Sequence, residues 1–212
     1  SRKAAAKASV AEECFGKYTK YIFAGESGLS SDPAMSWRNS KLDNIAIISN
    51  SDSHSLERIG REANIFDTEL SYRGIMDALR SRDPKRFVAT IEFFPEEGKY
   101  HYDGHRACGV SWSPEETDKH NGICTACGKK VTVGVMNRVS RLADRPELAL
   151  KNIPFGELKA KQYEHRVPFV SLTPFDEIIG EAFGVGPKSK TVRTEYEKLI
   201  KAFQSELNIL MN

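Results

Sequence analysis

The feature that most constrains this sequence is a pair of matched spacings. His105-Arg-Ala-Cys108-Gly109 and Cys124-Thr-Ala-Cys127-Gly128 each set two metal-ligating residue types three positions apart and follow them with glycine. In such a knuckle two ligands face one ion across a tight turn, and the glycine accepts the backbone conformation that the turn demands. Two knuckles supply four nitrogen and sulfur ligands, the full tetrahedral set of a structural zinc site. The block from Pro95 to about Val135 is rich in Gly, His and Cys and poor in hydrophobic periodicity. It cannot bury much core, so a metal staple is what would let it fold. His101 and His120 compete with His105 for the fourth position, and His105 is preferred because it reproduces the knuckle spacing. A redox role for Cys124 and Cys127 is disfavoured, because the pair lacks a strand-to-helix setting and a second half-site lies upstream. The remaining cysteine, Cys14, is expected to be a small buried side chain on a helix face.

The rest of the 212-residue chain reads as α/β. A helical pattern runs to about Tyr21, followed by a short buried strand at Tyr21–Gly25. Another apolar strand covers Ile45–Ile48. "SYRGIMDALRSRD" is an amphipathic helix with Ile75, Met76 and Leu79 on one face and Pro84 beyond its end. "RFVATIEFF" is rich in β-branched and aromatic residues and predicts a strand. Strands alternating with helices predict largely parallel pairing. The last third reads as loop and helix, with two helical patterns around a Gly-Pro break. These patterns divide the chain into 1–95, 96–135 and 136–212. A net charge of +2 does not by itself announce a nucleic-acid partner. No apolar run nears the ~20 residues that span a bilayer, and the opening "SRKAAAKASVAEE" is not a secretory leader. A cytoplasmic protein with no membrane partner is expected. The start at Ser1, on what reads as a helix under way, predicts a fragment of a longer chain.

Where the strand at Ile45–Ile48 gives out, "SNSDSHS" places Asp52 and His54 two residues apart. In an extended backbone such residues share a side, so a carboxylate and an imidazole can aim at one point beyond a sheet edge. Strand ends are where α/β folds bind ligands. A carboxylate with a neutral imidazole suits Zn, Mn or Fe, and such a cluster can lower the pKa of bound water toward neutrality. The same spacing also occurs in plain hydrogen-bonded turns, and two ligands do not complete a catalytic site.

"SNSDSHSLERIGREANIFDTELSY" resembles the closing metal motif of the PHP phosphoesterase superfamily, and is most similar to its endonuclease Q branch. The resemblance extends through "ESGLSSDPAMSWRNSKLD", "TIEFFPEEGKYHYDGHRACG", "NGICTACGKKVTVGVMNRVSRLADRP" and "EIIGEAFGVGPKSK", in the same order and over nearly the whole chain. It implies a DNA repair endonuclease that nicks 5′ to deaminated bases such as uracil and hypoxanthine, using divalent Zn, Mg or Mn. It implies that Asp52 and His54 are the last two ligands of a multi-metal centre. PHP domains open with an H-x-H strand that this chain lacks, so the chain corresponds to a C-terminal half and should be inactive alone. The implied fold is the closing part of a distorted β/α barrel, then a zinc ribbon-like module, then a helical tail.

Deamination replaces an amino group with a carbonyl, so a reading site must offer a donor there. Asn50 and Ser30 are the candidates, with Ser31 and Asp32 read as turn caps. Arg61 and Glu62 can contact phosphate and support a ligand, or form an internal ion pair. In "FGVGPKSKTV", Gly184 and Gly186 are read as opening a helix whose N–H groups hold a DNA phosphate, with Lys188, Lys190 and Arg193 adding positive charge. Phe93, Phe94, Tyr100 and Tyr102 are assigned to core and knuckle packing rather than base stacking. Two other readings are a PHP phosphoesterase acting on a small phosphate monoester and a non-catalytic nucleic-acid-binding zinc module.

Overall fold

The computed structural model describes residues 14–147, 156–160 and 166–211, and they form a mixed α/β structure. Strand β1 (Ala24–Glu26) lies parallel to β2 (Ala46–Ile48), with Ala24 opposite Ala46. A parallel pair needs a crossover, and this one contains the short helix α1 (Pro33–Ser36). Asp32 caps α1 by accepting from the Met35 N–H at 2.8 Å, and Pro33 occupies the first turn, where no N–H is needed. Ser31 donates to the Ser27 carbonyl, so both residues serve the turn as expected.

Strand β3 (Ala63–Phe66) leads into helix α2 (Tyr72–Ser81), capped by Ser71 and closed by Arg82 in the left-handed region. The buried stripe of α2 is Gly74 and Ala78, while Ile75, Met76 and Leu79 are only half-buried. At Gly74 the turn leading into the helix leaves no room for a side chain: a Cβ there would lie 2.4 Å from the Glu69 carbonyl oxygen.

Strand β4 (Phe87–Glu92) is central. It pairs antiparallel with β3 and parallel with β7 (Phe169–Ser171). The pairing is therefore mixed rather than largely parallel. β7 also corrects the reading of the last third as loop and helix. It is three residues long, flanked by Pro168 and Pro174, and buried at every position, so it carries no alternation to read. Phe87 and Phe169 are fully buried; burying each side chain is worth about 1.5–3 kcal/mol. Trp37 meets Phe169 edge-on at 5.8 Å, and Phe66 stacks on Phe87 at 4.7 Å.

Two early expectations fail. Cys14 is exposed, not buried. Gly16–Tyr21 is a 3-10 helix with Tyr18 and Tyr21 exposed, because Gly16 at φ +50° interrupts the α-helical course. The opening of the predicted helix lies outside the described residues.

Strands β5 (Asp103–His105) and β6 (Val110–Trp112) form a hairpin, followed by helix α3 (Pro114–Lys119). Helix α4 (Val135–Leu142) is latched to this hairpin through Asp103, which is buried and accepts from the Gly134 N–H at 2.5 Å and from Asn137 Nδ2. Asn137 Oδ1 in turn accepts from Arg141 Nε at 2.6 Å. Beyond α4, Arg145 makes a two-pronged pair with Asp43 at 2.7 and 2.5 Å, and Arg166 reaches the same carboxylate at 3.1 Å. Arg82 binds the Asp43 carbonyl.

The tail comprises α5 (Phe175–Phe183), α6 (Lys190–Phe203) and α7 (Glu206–Leu210). Phe175, Ile179 and Val192 form its core. No helix among the described residues is long and apolar enough to cross a membrane.

Candidate active site and metal centre

Strand β2 delivers the Asp-His motif, but not as an extended backbone. The strand ends at Ile48, and Asp52 lies at φ +44°. The argument from same-side strand geometry therefore does not hold. A turn replaces it: His54 Nδ1 lies 2.7 Å from the Asp52 carbonyl oxygen. A carbonyl only accepts, so Nδ1 carries a proton, and in the neutral ring Nε2 is the nitrogen with the lone pair. A ring nitrogen fixed by a carbonyl, with the other left to ligate, is the arrangement metal-binding histidines use. Both side chains are exposed, and the two do not join a third ligand among the described residues.

The strand end before this turn is held by side chains. No backbone hydrogen bond joins β2 to β3 among the described residues. Instead Asn64 of β3 accepts from the Ser49 N–H at 3.0 Å and donates to the Ser49 carbonyl at 2.7 Å. Asn64 Nδ2 also donates to Asn50 Oδ1 at 3.2 Å. Ser49, fully buried, donates to the Ile91 carbonyl at 2.7 Å. Asn50 is exposed. Ser30 turns toward the metal module: its Oγ accepts from the Tyr100 N–H at 3.4 Å and its carbonyl from His101 Nδ1 at 2.9 Å.

Beneath this end lie two buried acids: Glu92, to which the sequence reading gave no role, and Glu62, read there as a ligand support or an ion-pair partner, whose neighbour Arg61 pairs instead with Asp176 and Glu177. Glu92 is fully buried; its carboxyl accepts from Thr90 at 2.5 Å and Ser27 at 3.1 Å. Burial pushes its pKa up to about 8, and the charge of Glu62 adds to the effect. Glu62 is 3% exposed, and among the described residues its carboxylate has no charged or side-chain partner, only the Phe93 backbone nearby. Burial, reinforced by Glu26, raises it to about 7. An acid closing a β4 run whose other residues are apolar apart from Thr90 was the available signal for Glu92.

Arg61 forms an internal network. Its guanidinium lies 3.3 Å from Glu177 and 3.8 Å from Asp176, and its Nε donates to the Glu57 carbonyl. The network closes one side of a cleft of about 770 Å³ between the loop after His54 and the tail, floored by Ile91, Leu172, Val192 and Leu210. Asp52 and His54 are not among its described walls.

The two knuckles meet as their spacing predicts. One ligand atom each from His105, Cys108, Cys124 and Cys127 lies within 4.8 Å of the others, a set that suits one tetrahedral ion. Cys127 Sγ is 3.4 Å from His105 Nδ1. Gly109 and Gly128 both adopt positive φ, +66° and +72°. The competitors are engaged elsewhere: His101 with Ser30, and His120 stacked on Trp112 at 4.6 Å. Tyr100 and Tyr102 are exposed, while Phe93 and Phe94 are half-buried.

In the tail, Gly184 at φ +63° closes α5 rather than opening α6, and the Val185 N–H returns to the Gly180 carbonyl. Ser189 caps α6. Gly186 and Lys188 on the connecting loop and Lys190 at the start of α6 are exposed, and Lys188 approaches Glu57 at 3.9 Å.

The family described as MJ0043 C-terminal domain matches residues 174–212. The chain is 28% identical over 208 residues to the uncharacterized protein MJ0043 of Methanocaldococcus jannaschii, covering 94% of this chain and 24% of that protein. It is 32% identical over 191 residues to the uncharacterized protein YqxK of Bacillus subtilis, covering 89% and 42%. Two solved structures share the fold. One is the lesion-specific endonuclease PfuEndoQ from Pyrococcus furiosus, with a TM-score of 0.71, 28% identity, and 88% of this chain covered against 44% of that one. The other is endonuclease Q holding a 27-mer duplex with an abasic lesion at its active site, with a TM-score of 0.71, 28% identity and coverage of 87% and 44%. The chain thus spans less than half the length of these proteins.

Proposed function

From the likeness to endonuclease Q in sequence and fold, we propose that the protein carrying this chain is a DNA repair endonuclease that cuts the phosphodiester 5′ to deaminated bases such as uracil and hypoxanthine. The observation that carries this reading is the shared fold with a protein seen on lesion-bearing duplex. Residues 1–95 are read as the closing portion of a PHP-type barrel, 96–135 as a zinc ribbon-like module and 136–212 as the DNA-contacting region, whose sheet contribution is β7.

Asp52 and His54 hold the catalytic site's final positions. Divalent Zn, Mg or Mn bound there would supply a hydroxide nucleophile near neutral pH. The chain's own contribution is orientation. The Asp52 carbonyl keeps the proton on His54 Nδ1 and leaves Nε2 as the ligating atom. Two ligands are fewer than a hydrolytic centre needs, so the chain alone is expected to be inactive. His105, Cys108, Cys124 and Cys127 hold structural zinc. Asn50, with Ser30, reads the lesion by donating to the carbonyl that deamination creates. An undamaged base would bring donor against donor and leave both desolvated, which rejects it strongly. The Gly184–Ser189 connection and the start of α6 rest on the DNA backbone, with Lys188 and Lys190 facing phosphate. A location in the cytoplasm fits this work.

The test is nicking of a uracil-containing duplex by the full-length protein with Mg²⁺, Mn²⁺ or Zn²⁺. Asp52→Ala and His54→Ala are each expected to lower the rate by at least about a hundredfold. Turnover retained in Asp52→Ala would remove the catalytic assignment.

A further inference from the structure

An asparagine amide normally leaves open which end is oxygen and which is nitrogen. Asn64 leaves no such freedom. The Ser49 N–H can only donate and the Ser49 carbonyl can only accept, and Asn64 faces both, at 3.0 and 2.7 Å. Its oxygen must meet the N–H and its nitrogen the carbonyl. Asn64 itself is fixed, because β3 places it opposite Thr90 of the central strand. Ser49 is fixed as well, fully buried with its hydroxyl on the Ile91 carbonyl.

The second hydrogen on Asn64 Nδ2 points to Asn50 at 3.2 Å, so the atom that accepts it is Asn50 Oδ1. Asn50 therefore turns its oxygen inward. Its Nδ2, bearing two donors and no acceptor, is the end left to meet a ligand on the exposed side. We infer that Asn64 is a positioning residue for lesion discrimination: its amide, polarised by the Ser49 backbone, locks Asn50 into a donor-outward state that accepts a base carbonyl and rejects a base amino group. The inference rests on the lesion-reading role proposed above for Asn50. It adds a residue that touches no substrate, and it explains why Asn50 presents donors rather than an acceptor.

The experiment uses the full-length protein and two duplexes identical except that one carries uracil and the other an abasic site at the same position. The abasic site offers no base to read, so the ratio of the two nicking rates isolates reading from the general placement of Asp52 and His54. Asn64→Asp keeps the shape and the acceptor for Ser49 but loses both donors. It is expected to lower the uracil-to-abasic ratio about tenfold or more. Adding Asn50→Ala to Asn64→Asp should lower the ratio little further, since both act through one contact. Asn50→Asp with Asn64 intact turns the outward end into an acceptor, and the ratio should again fall; this arm stands even if Asn64→Asp does not fold. An unchanged ratio in Asn50→Asp, or equal losses on both duplexes in Asn64→Asp, overturns the inference and leaves Asn64 a structural tie. If the wild type nicks neither duplex, the nuclease reading falls and takes this inference with it.

Discussion

Arg61, on the loop that follows the Asp-His turn, reaches Glu177 Oε1 on α5 at 3.3 Å. Its side chain is 20% exposed and that of Glu177 is 40% exposed, so the pair sits at a partly desolvated seam between the loop and the tail. A double-mutant cycle on Arg61→Ala and Glu177→Ala, followed by urea unfolding, should give a coupling of about 0.5–1 kcal/mol. Arg61→Ala should cost more than Glu177→Ala, because Arg61 also binds the Glu57 carbonyl.

The metal centre makes a second prediction. Purified protein should contain one zinc per chain by elemental analysis, and Cys124→Ser should lose it. Cys124 is 1% exposed and its backbone closes the knuckle turn, with the Gly128 N–H on its carbonyl at 2.8 Å. Chelation should raise amide exchange across 103–134 first, because this block depends on the ion more than on apolar burial.

Glu62 and Glu92 set a pH dependence whose sign is opposite to that of most carboxylates. Their folded pKa values, about 7 and about 8, lie above the ordinary value of 4.5. Below 4.5 both states hold the protons. As pH rises the unfolded chain releases them while the folded chain resists, so stability falls through pH 7 and 8. Thermal unfolding should show a loss of several kcal/mol, on the order of 5, between pH 5 and pH 8. Glu92→Gln should flatten much of that slope; an unaltered slope would refute the assignment.

Lys188 and Lys190 are exposed and lie outside the Asp-His turn. If they face phosphate, replacing both by Ala in the full-length protein should weaken duplex binding equally for damaged and undamaged sequences. The slope of log affinity against log salt should shrink by about 2. Fluorescence anisotropy across a salt series measures both.

The sequence made some of this legible and hid the rest for identifiable reasons. The knuckles are local, so their spacing alone chose His105 over His101 and His120. Helix α2 and strand β4 carry strong patterns and caps and were found near their observed ends. β7 was hidden because three buried residues between prolines have no period. The turn at Asp52 was hidden because its positive φ breaks the alternation on which the pairing argument stood. Asn64 could not be found by pattern at all. Its role exists only where two sheets meet without a shared backbone ladder, a relationship between strands 15 residues apart.

Asp43 collects three arginines from distant parts of the chain, at separations of 39, 102 and 123 residues. Contacts of that span are the last to close, since the chain must first give up the entropy of the intervening loops. The contacts with Asp43 are therefore expected to be among the last to form as the chain folds. A nascent chain that has not yet made Arg166 leaves the carboxylate one partner short, and completion of the final third is what seals the first.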